Sequence, residues 1–197
     1  LAEDAANVRA GIYPALPEAA DTPIEFASRI RAMLADLPTA LARRAASDAS
    51  TARSVPAADD PDIPDYFRQD FHFQTGGYLS DDSARLYDVQ VETLFMGTAG
   101  PMRRACLRPI AEAIRGHDQR ELALLDVACG TGRFLRQVRL TYPALKLTGL
   151  DLSAPYLAEA ERQFDGLRKA TWLKANAEKI PLPDSSQDIV TSIFLFH

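Results

Sequence analysis

The chain has 197 residues, 22 Lys and Arg against 27 Asp and Glu, a net charge of −5 and 47% hydrophobic residues, enough for one cored domain with appendages. An acidic balance without basic runs argues against nucleic acid as the main substrate, since phosphate neutralisation needs clustered Lys and Arg, and no apolar run reaches the ~18 residues that span a bilayer. The two cysteines, Cys106 and Cys129, lack the spacing of a ligand set, so a reducing cytoplasmic setting is expected and a metal site is not.

Taken in chain order, residues 1–46 read as a helical N-terminal extension. Thr22-Pro23-Ile24-Glu25 is a capping box with proline at the first helical position. Phe26, Ile30, Leu34 and Leu37 then recur at helical spacing until Pro38, where the helix is expected to stop. A second helix is expected over residues 39–46. With Arg29 and Arg31 as its only basic residues, the first helix suits docking or a lid better than a membrane surface. Residues 47–65, rich in Ala, Ser, Asp and Pro, read as a flexible linker.

Residues 66–116 read as a helical lead-in or lid. Gly76-Gly77 marks a turn, and Ser80-Asp81-Asp82 caps a helix carrying Leu86, Val89, Leu94 and Phe95. Another helix is expected over residues 102–114, broken or kinked at Pro109 and stopped by Gly116. Arg103, Arg104 and Arg108 read as its solvated face. Tyr66, His72, Tyr78 and Tyr87 are polar-tipped residues suited to lining a lid.

Residues 117–197 carry the α/β pattern. Residues 122–127 form a short apolar run, the mark of a strand covered on both faces of a parallel sheet. Ala128, Gly130 and Gly132 strip side chains from the next turn, so that a ligand can lie on the backbone. Helical spacing resumes at Arg133, with Phe134, Leu135 and Val138 on one face. This order places a nucleotide site at the carboxyl end of a sheet. Residues 145–150 read as a second strand ending in Asp151, followed by Ser153 as a helix N-cap. An acid at that tip can accept from both ribose hydroxyls. Residues 171–175 and 188–196 read as third and fourth strands.

Dinucleotide sites use G-x-G-x-x-G, but Leu135 stands where the third glycine would fall. Asp126-Val127-Ala128-Cys129-Gly130-Thr131-Gly132 resembles instead the first motif of class I S-adenosylmethionine-dependent methyltransferases. Asn176-Ala177-Glu178-Lys179-Ile180-Pro181-Leu182-Pro183-Asp184 resembles that family's D/N-A-E-x-x-P-[LF]-x-D segment. The chain is similar to its small-molecule enzymes of ubiquinone, menaquinone and sterol methylation, and residues 66–79 look like the lead-in of uncharacterised bacterial and plastid members.

The resemblance implies a Rossmann-like sheet of order 3-2-1-4, S-adenosylmethionine as cofactor, and a small, lipophilic methyl acceptor. It implies that Ala128, Cys129, Gly130, Thr131 and Gly132 lie against methionine and ribose, and that Asp126 orients the methionine ammonium. Asp151 would hold the ribose, Leu152 would pack on adenine, and Asn176 with the Ala177 N–H would read the adenine edge. Most relatives carry aspartate where this chain has Asn176; an amide oxygen still accepts, without charge assistance. Cys129 reads as a packing residue rather than a nucleophile, and His197 is a weak candidate base. A nicotinamide-dependent oxidoreductase would share Gly130, Gly132 and Asp151 but leaves residues 176–184 without a role. A non-catalytic protein of the same fold is the other alternative. The family's sheet continues through three further strands, so the chain reads as a truncated and inactive fragment with an unpaired edge. The acceptor atom and the oligomeric state have no signature in the residues.

Overall fold

A computed structural model of the chain describes residues 1–15, 22–46, 63–64, 67 and 77–195. Its centre is a parallel sheet of β1 (Ala123–Val127), β2 (Lys146–Asp151), β3 (Thr171–Lys174) and β4 (Ile189–Thr191), in the order β3-β2-β1-β4. The expected α/β, Rossmann-like arrangement is therefore present. Successive residues of β1 point to opposite faces. Leu124 enters the larger core with Leu135, Val138 and Leu147, while Leu125 and Val127 meet Leu150 on the other face. That two-sided burial is why the strand reads as an unbroken apolar run.

The fourth strand is shorter than residues 188–196. Asp188 starts the pairing: its carboxylate accepts the Ala123 N–H at 2.8 Å and its own N–H donates to the Ala123 carbonyl at 3.0 Å. Beyond Thr191 the Ser192 hydroxyl takes the Val127 carbonyl, and Phe194 adopts φ +62°, which no continuing strand permits. The last two residues, Phe196 and His197, lie outside the described residues.

Helix α6 (Arg133–Thr141) buries Phe134, Leu135 and Val138, as its spacing predicts, and crosses to β2. Arg139, at its far end, donates to the carbonyls of Pro143 and Leu145 at 2.7 and 2.8 Å. Helix α7 (Ala154–Gln163) starts at Ser153, whose hydroxyl accepts the Tyr156 N–H.

The remaining helices are α1 (Ala2–Arg9), α2 (Pro23–Ala46), α3 (Asp81–Leu94), α4 (Ala99–Ala105) and α5 (Leu107–Ala113). Ser80 caps α3 as expected, accepting the Ser83 N–H at 3.1 Å. Three other expectations are corrected. Pro38 does not end α2, which continues to Ala46. The Leu34 carbonyl loses its helical partner there, but Leu34 and Pro38 are exposed, so water can take that carbonyl. The break between α4 and α5 falls at Cys106 rather than at Pro109. Pro109 has no N–H for the carbonyl of Ala105, four residues back, so the helix parts there and proline becomes the third residue of the next helix.

Arg103 and Arg104 are not a solvated face. They are 4% and 8% exposed; Arg103 pairs with Glu92 of α3 at 3.0 Å, and Arg104 makes two 2.8 Å bonds to Asp4 of α1. Only Arg108 is exposed. Helix α2 docks through Arg29, which pairs with Glu159 of α7 at 2.8 Å and donates to the Arg85 carbonyl. Its apolar residues Phe26, Leu34 and Leu37 stay largely exposed. No helix among the described residues is long and apolar enough to cross a membrane. Of the linker expected over residues 47–65, all but 63–64 lies outside the described residues.

Candidate active site

The turn after β1 is left-handed at three alternate residues: Ala128 at φ +56°, Gly130 at +55° and Gly132 at +73°. Ala128 adopts this conformation despite its Cβ, a cost the sequence does not advertise. The Cys129 N–H donates to the Leu150 carbonyl at 3.0 Å, hooking the turn onto β2. The two glycines serve different ends. A Cβ at Gly130 would meet Tyr156 and Tyr87 only at 4.0 Å, an ordinary contact, whereas one at Gly132 would collide with the Ala160 Cβ at 2.8 Å. Gly132 thus lets α7 close on the turn, and Gly130 keeps the backbone bare on the other side. Cys129 is buried and stands where a Cβ at Gly149 would be 2.9 Å from its sulfur. Burial pushes its thiol well above the usual range, which suits packing and not nucleophilic attack.

Asp151 ends β2 with both carboxylate oxygens engaged: Oδ2 accepts the Gly130 N–H and Oδ1 the Ser153 N–H, each at 2.9 Å. Burial raises this carboxyl above its ordinary value, with the backbone N–H groups of Ser153 and Gly130 opposing it. Asp126, 2% exposed, points from β1 into a narrow cleft shared with Ala128, Gly130, Tyr87 and Phe194. Burial pushes it up to about 7, although the Thr191 hydroxyl donates to it at 2.7 Å and pulls the other way.

The side chain of Thr131 is turned inward. Its hydroxyl donates to Asp88 of α3 at 2.7 Å and is not offered to the cleft. Arg133 lies 2.8 Å from the other oxygen of Asp88. Asp88 was not visible as a site residue in the sequence; nothing in its spacing ties α3 to the turn.

Tyr78, Tyr87 and Tyr156 form an aromatic group beside Gly130, with ring centroids 5.2 to 6.3 Å apart. The Ser153 hydroxyl donates to the Tyr78 carbonyl, holding this segment near Asp151. Burial raises the Tyr78 and Tyr87 hydroxyls, so both are protonated donors. Of the four expected lid residues, Tyr66 and His72 lie outside the described residues, as does His197.

Asp151 pairs in register with Lys174 of β3, and Asn176 follows two residues later at the same end of the sheet. Its side-chain oxygen accepts the Glu178 N–H at 2.9 Å, closing an Asx turn that leaves one lone pair for a further donor. Ala177 packs against Leu125, Val127 and Leu150, and Leu152 is buried beside Asp151.

Residues 124–197 match the model of the methyltransferase domain family. Over this segment the chain is similar to class I S-adenosylmethionine-dependent methyltransferases. A ubiquinone/menaquinone biosynthesis C-methyltransferase UbiE of Desulfotalea psychrophila is 30% identical over 117 residues, 59% of this chain and 45% of that protein. A demethylmenaquinone methyltransferase of Chlorobaculum tepidum is 32% identical over 116 residues, 59% and 46% of the two chains. A malonyl-[acyl-carrier protein] O-methyltransferase of Legionella pneumophila is 31% identical over 74 residues, 38% and 26%. The chain thus spans less than half of the length of these curated relatives. Their names give carbon and oxygen acceptors alike, so the shared segment does not itself fix the acceptor.

Proposed function

We propose that this protein is a methyltransferase that binds S-adenosylmethionine along the β1 turn and transfers its methyl group to a small, lipophilic acceptor. The observation that carries this reading is Asp151: a buried carboxylate at the tip of β2, fixed by the Gly130 and Ser153 N–H groups, beside a turn with no Cβ at Gly130 to exclude a ligand. The Leu152 N–H acts on the same carboxylate, which keeps lone-pair capacity for a ribose hydroxyl. A dinucleotide would also set a ribose on this acid; the second buried acid in the cleft, Asp126, favours an adenosine bearing a zwitterionic amino acid.

In this reading Asp126 takes the ammonium, directly or through water, and Leu152 lies on the adenine face. Asn176 accepts from the adenine amino group through its remaining lone pair, and the Ala177 N–H donates to the ring. The cofactor supplies an electrophilic methyl on a sulfonium. The protein's own contribution is to position the acceptor and to keep water from the cleft. Two of the relatives are named for quinone methylation, which supports a lipophilic acceptor.

Calorimetry with S-adenosylhomocysteine against NADH tests the cofactor. Asp151→Ala removes two charge-assisted hydrogen bonds, each worth ~1.5–3 kcal/mol, so homocysteine-nucleoside affinity is expected to fall at least ~100-fold. Unchanged affinity in a folded variant, or tighter binding of NADH, sinks the assignment. Labelled methyl from the cofactor should enter the organic phase of a cell extract; label confined to protein or nucleic acid refutes the acceptor class.

A further inference from the structure

The glycine turn is held from two sides by two buried carboxylates, and only one of them belongs to the matched methyltransferase segment. Asp151 takes the Gly130 N–H from the sheet side. Asp88, 1% exposed, arrives from α3, upstream of residues 124–197. Its Oδ1 accepts the Thr131 hydroxyl at 2.7 Å, and its Oδ2 lies 2.8 Å from the Arg133 Nε as an ion pair without hydrogen-bond alignment. One carboxylate therefore grips the residue before Gly132 and the residue after it. The next residue back on α3, Tyr87, places its ring where a Cβ on Gly130 would lie 4.0 Å away.

From this geometry we infer that Asp88 is a positioning residue for the cofactor, acting through Thr131 and Arg133 to hold the Gly130–Gly132 turn in its left-handed form. The inference rests on the cofactor reading proposed above. Its physical basis is the backbone of the turn. Ala128, Gly130 and Gly132 all sit at positive φ, a conformation that persists only where the surroundings over-determine it. The Thr131 N–H and the Gly130 backbone can face a ligand only while the Thr131 side chain is turned inward. Without an acceptor behind it, a buried hydroxyl seeks another partner, and the turn follows. A shift there also reaches Asp151, because the Gly130 N–H is bonded to it.

The decisive variant is Thr131→Val, which matches the shape of threonine, deletes the hydroxyl and leaves the Asp88–Arg133 pair in place. Amide hydrogen exchange across residues 128–132 is expected to accelerate at least tenfold while exchange in β2 and α7 stays at its parental rate. S-adenosylhomocysteine affinity should fall at least tenfold, and Thr131→Ser, with its hydroxyl restored, should recover most of that loss. Asp88→Asn should weaken binding as well, and combining it with Thr131→Val should cost less than the sum of the two, since both act through one contact. Parental affinity in folded Thr131→Val and Asp88→Asn would overturn the inference, as would strictly additive losses. If the parent binds no S-adenosylhomocysteine, the cofactor reading fails and takes this role with it. If the parent binds it and the variants bind equally well, the inference alone fails.

Discussion

A Cβ added at Gly132 would stand 2.8 Å from the Ala160 Cβ and 3.2 Å from its Cα, at a φ of +73°. Gly132→Ala should therefore lower stability by about 2–4 kcal/mol, overpacking and left-handed strain together. Gly130→Ala meets nothing closer than 4.0 Å and should cost only about 1–2 kcal/mol of strain, yet lose cofactor affinity because its methyl lies where the ligand would. Urea denaturation beside calorimetry separates the two; equal stabilities would contradict the packing role of Gly132. Asp126 makes a second prediction. Its carboxyl is raised from 3.8 to about 7 in the folded protein, so the folded state binds the proton more tightly than the unfolded chain. The stability this confers is fully present below pH 3.8 and lost as pH rises to about 7. Asp126→Asn should flatten that decline, read as a smaller change in urea midpoint between pH 5 and pH 8. Asp4, held low chiefly by its hydrogen bond from Arg104, works in the opposite sense, its contribution vanishing as the medium becomes more acid than its ordinary range. Glycine spacing and the acid at the strand tip were legible because each is a local pattern. The inward turn of Thr131 was not, because its partner is on another element.

Among the elements, those whose cause is local could be read from the residues. Strands β1 and β2 announce themselves as apolar runs buried on both faces, and α3 by Ser80 at its cap. Helix α2 shows the limit of that logic. Pro38 forbids one hydrogen bond and crowds one carbonyl, but an exposed helix tolerates both, so a strong local signal was overruled. Pro38→Ala should accordingly restore the missing bond and slow amide exchange around residues 34–42, with a local gain of up to about 3 kcal/mol. No change in protection there would show that the helix does not feel the proline. Arg103 and Arg104 fail for the opposite reason. Their side chains are as polar as any surface residue, and only the arrival of Glu92 and of Asp4, from separate helices, makes their burial affordable.

At the scale of the whole molecule, the sheet has two inner strands, β1 and β2, and two edge strands, β3 and β4, each paired on one side among the described residues. Among the described residues β4 pairs only with β1, and Val190 is 61% exposed. A short apolar strand with one open edge is a template for a second chain. The 197-residue chain should self-associate with rising concentration in light scattering, and Val190→Lys should suppress this without loss of helicity. A parent that stays monomeric at high concentration would argue that the edge is protected. The sheet order and the acidic end of β2 were foreseeable from the motifs. The tyrosine cluster over Gly130 was foreseeable only as a list of polar-tipped residues, since which of them converge depends on how α3 and α7 meet.

Asp151 is held at both oxygens by the backbone before any ligand arrives, and that has a consequence for the thermodynamics of recognition. An unanchored carboxylate gives up rotamer freedom when it meets a partner, a cost of about 0.5–1.5 kcal/mol for each immobilised side chain. Here that freedom is already surrendered in folding, through the Gly130 and Ser153 N–H groups. A nucleoside bound as proposed would meet a rotor that is already frozen. Asp151→Glu would retain the charge and lengthen the reach, yet reintroduce a rotatable bond and lose the match to those two donors. The loss of affinity should then appear mainly as a less favourable entropy of binding, the mark of a site whose precision is built into its backbone and not into its charge.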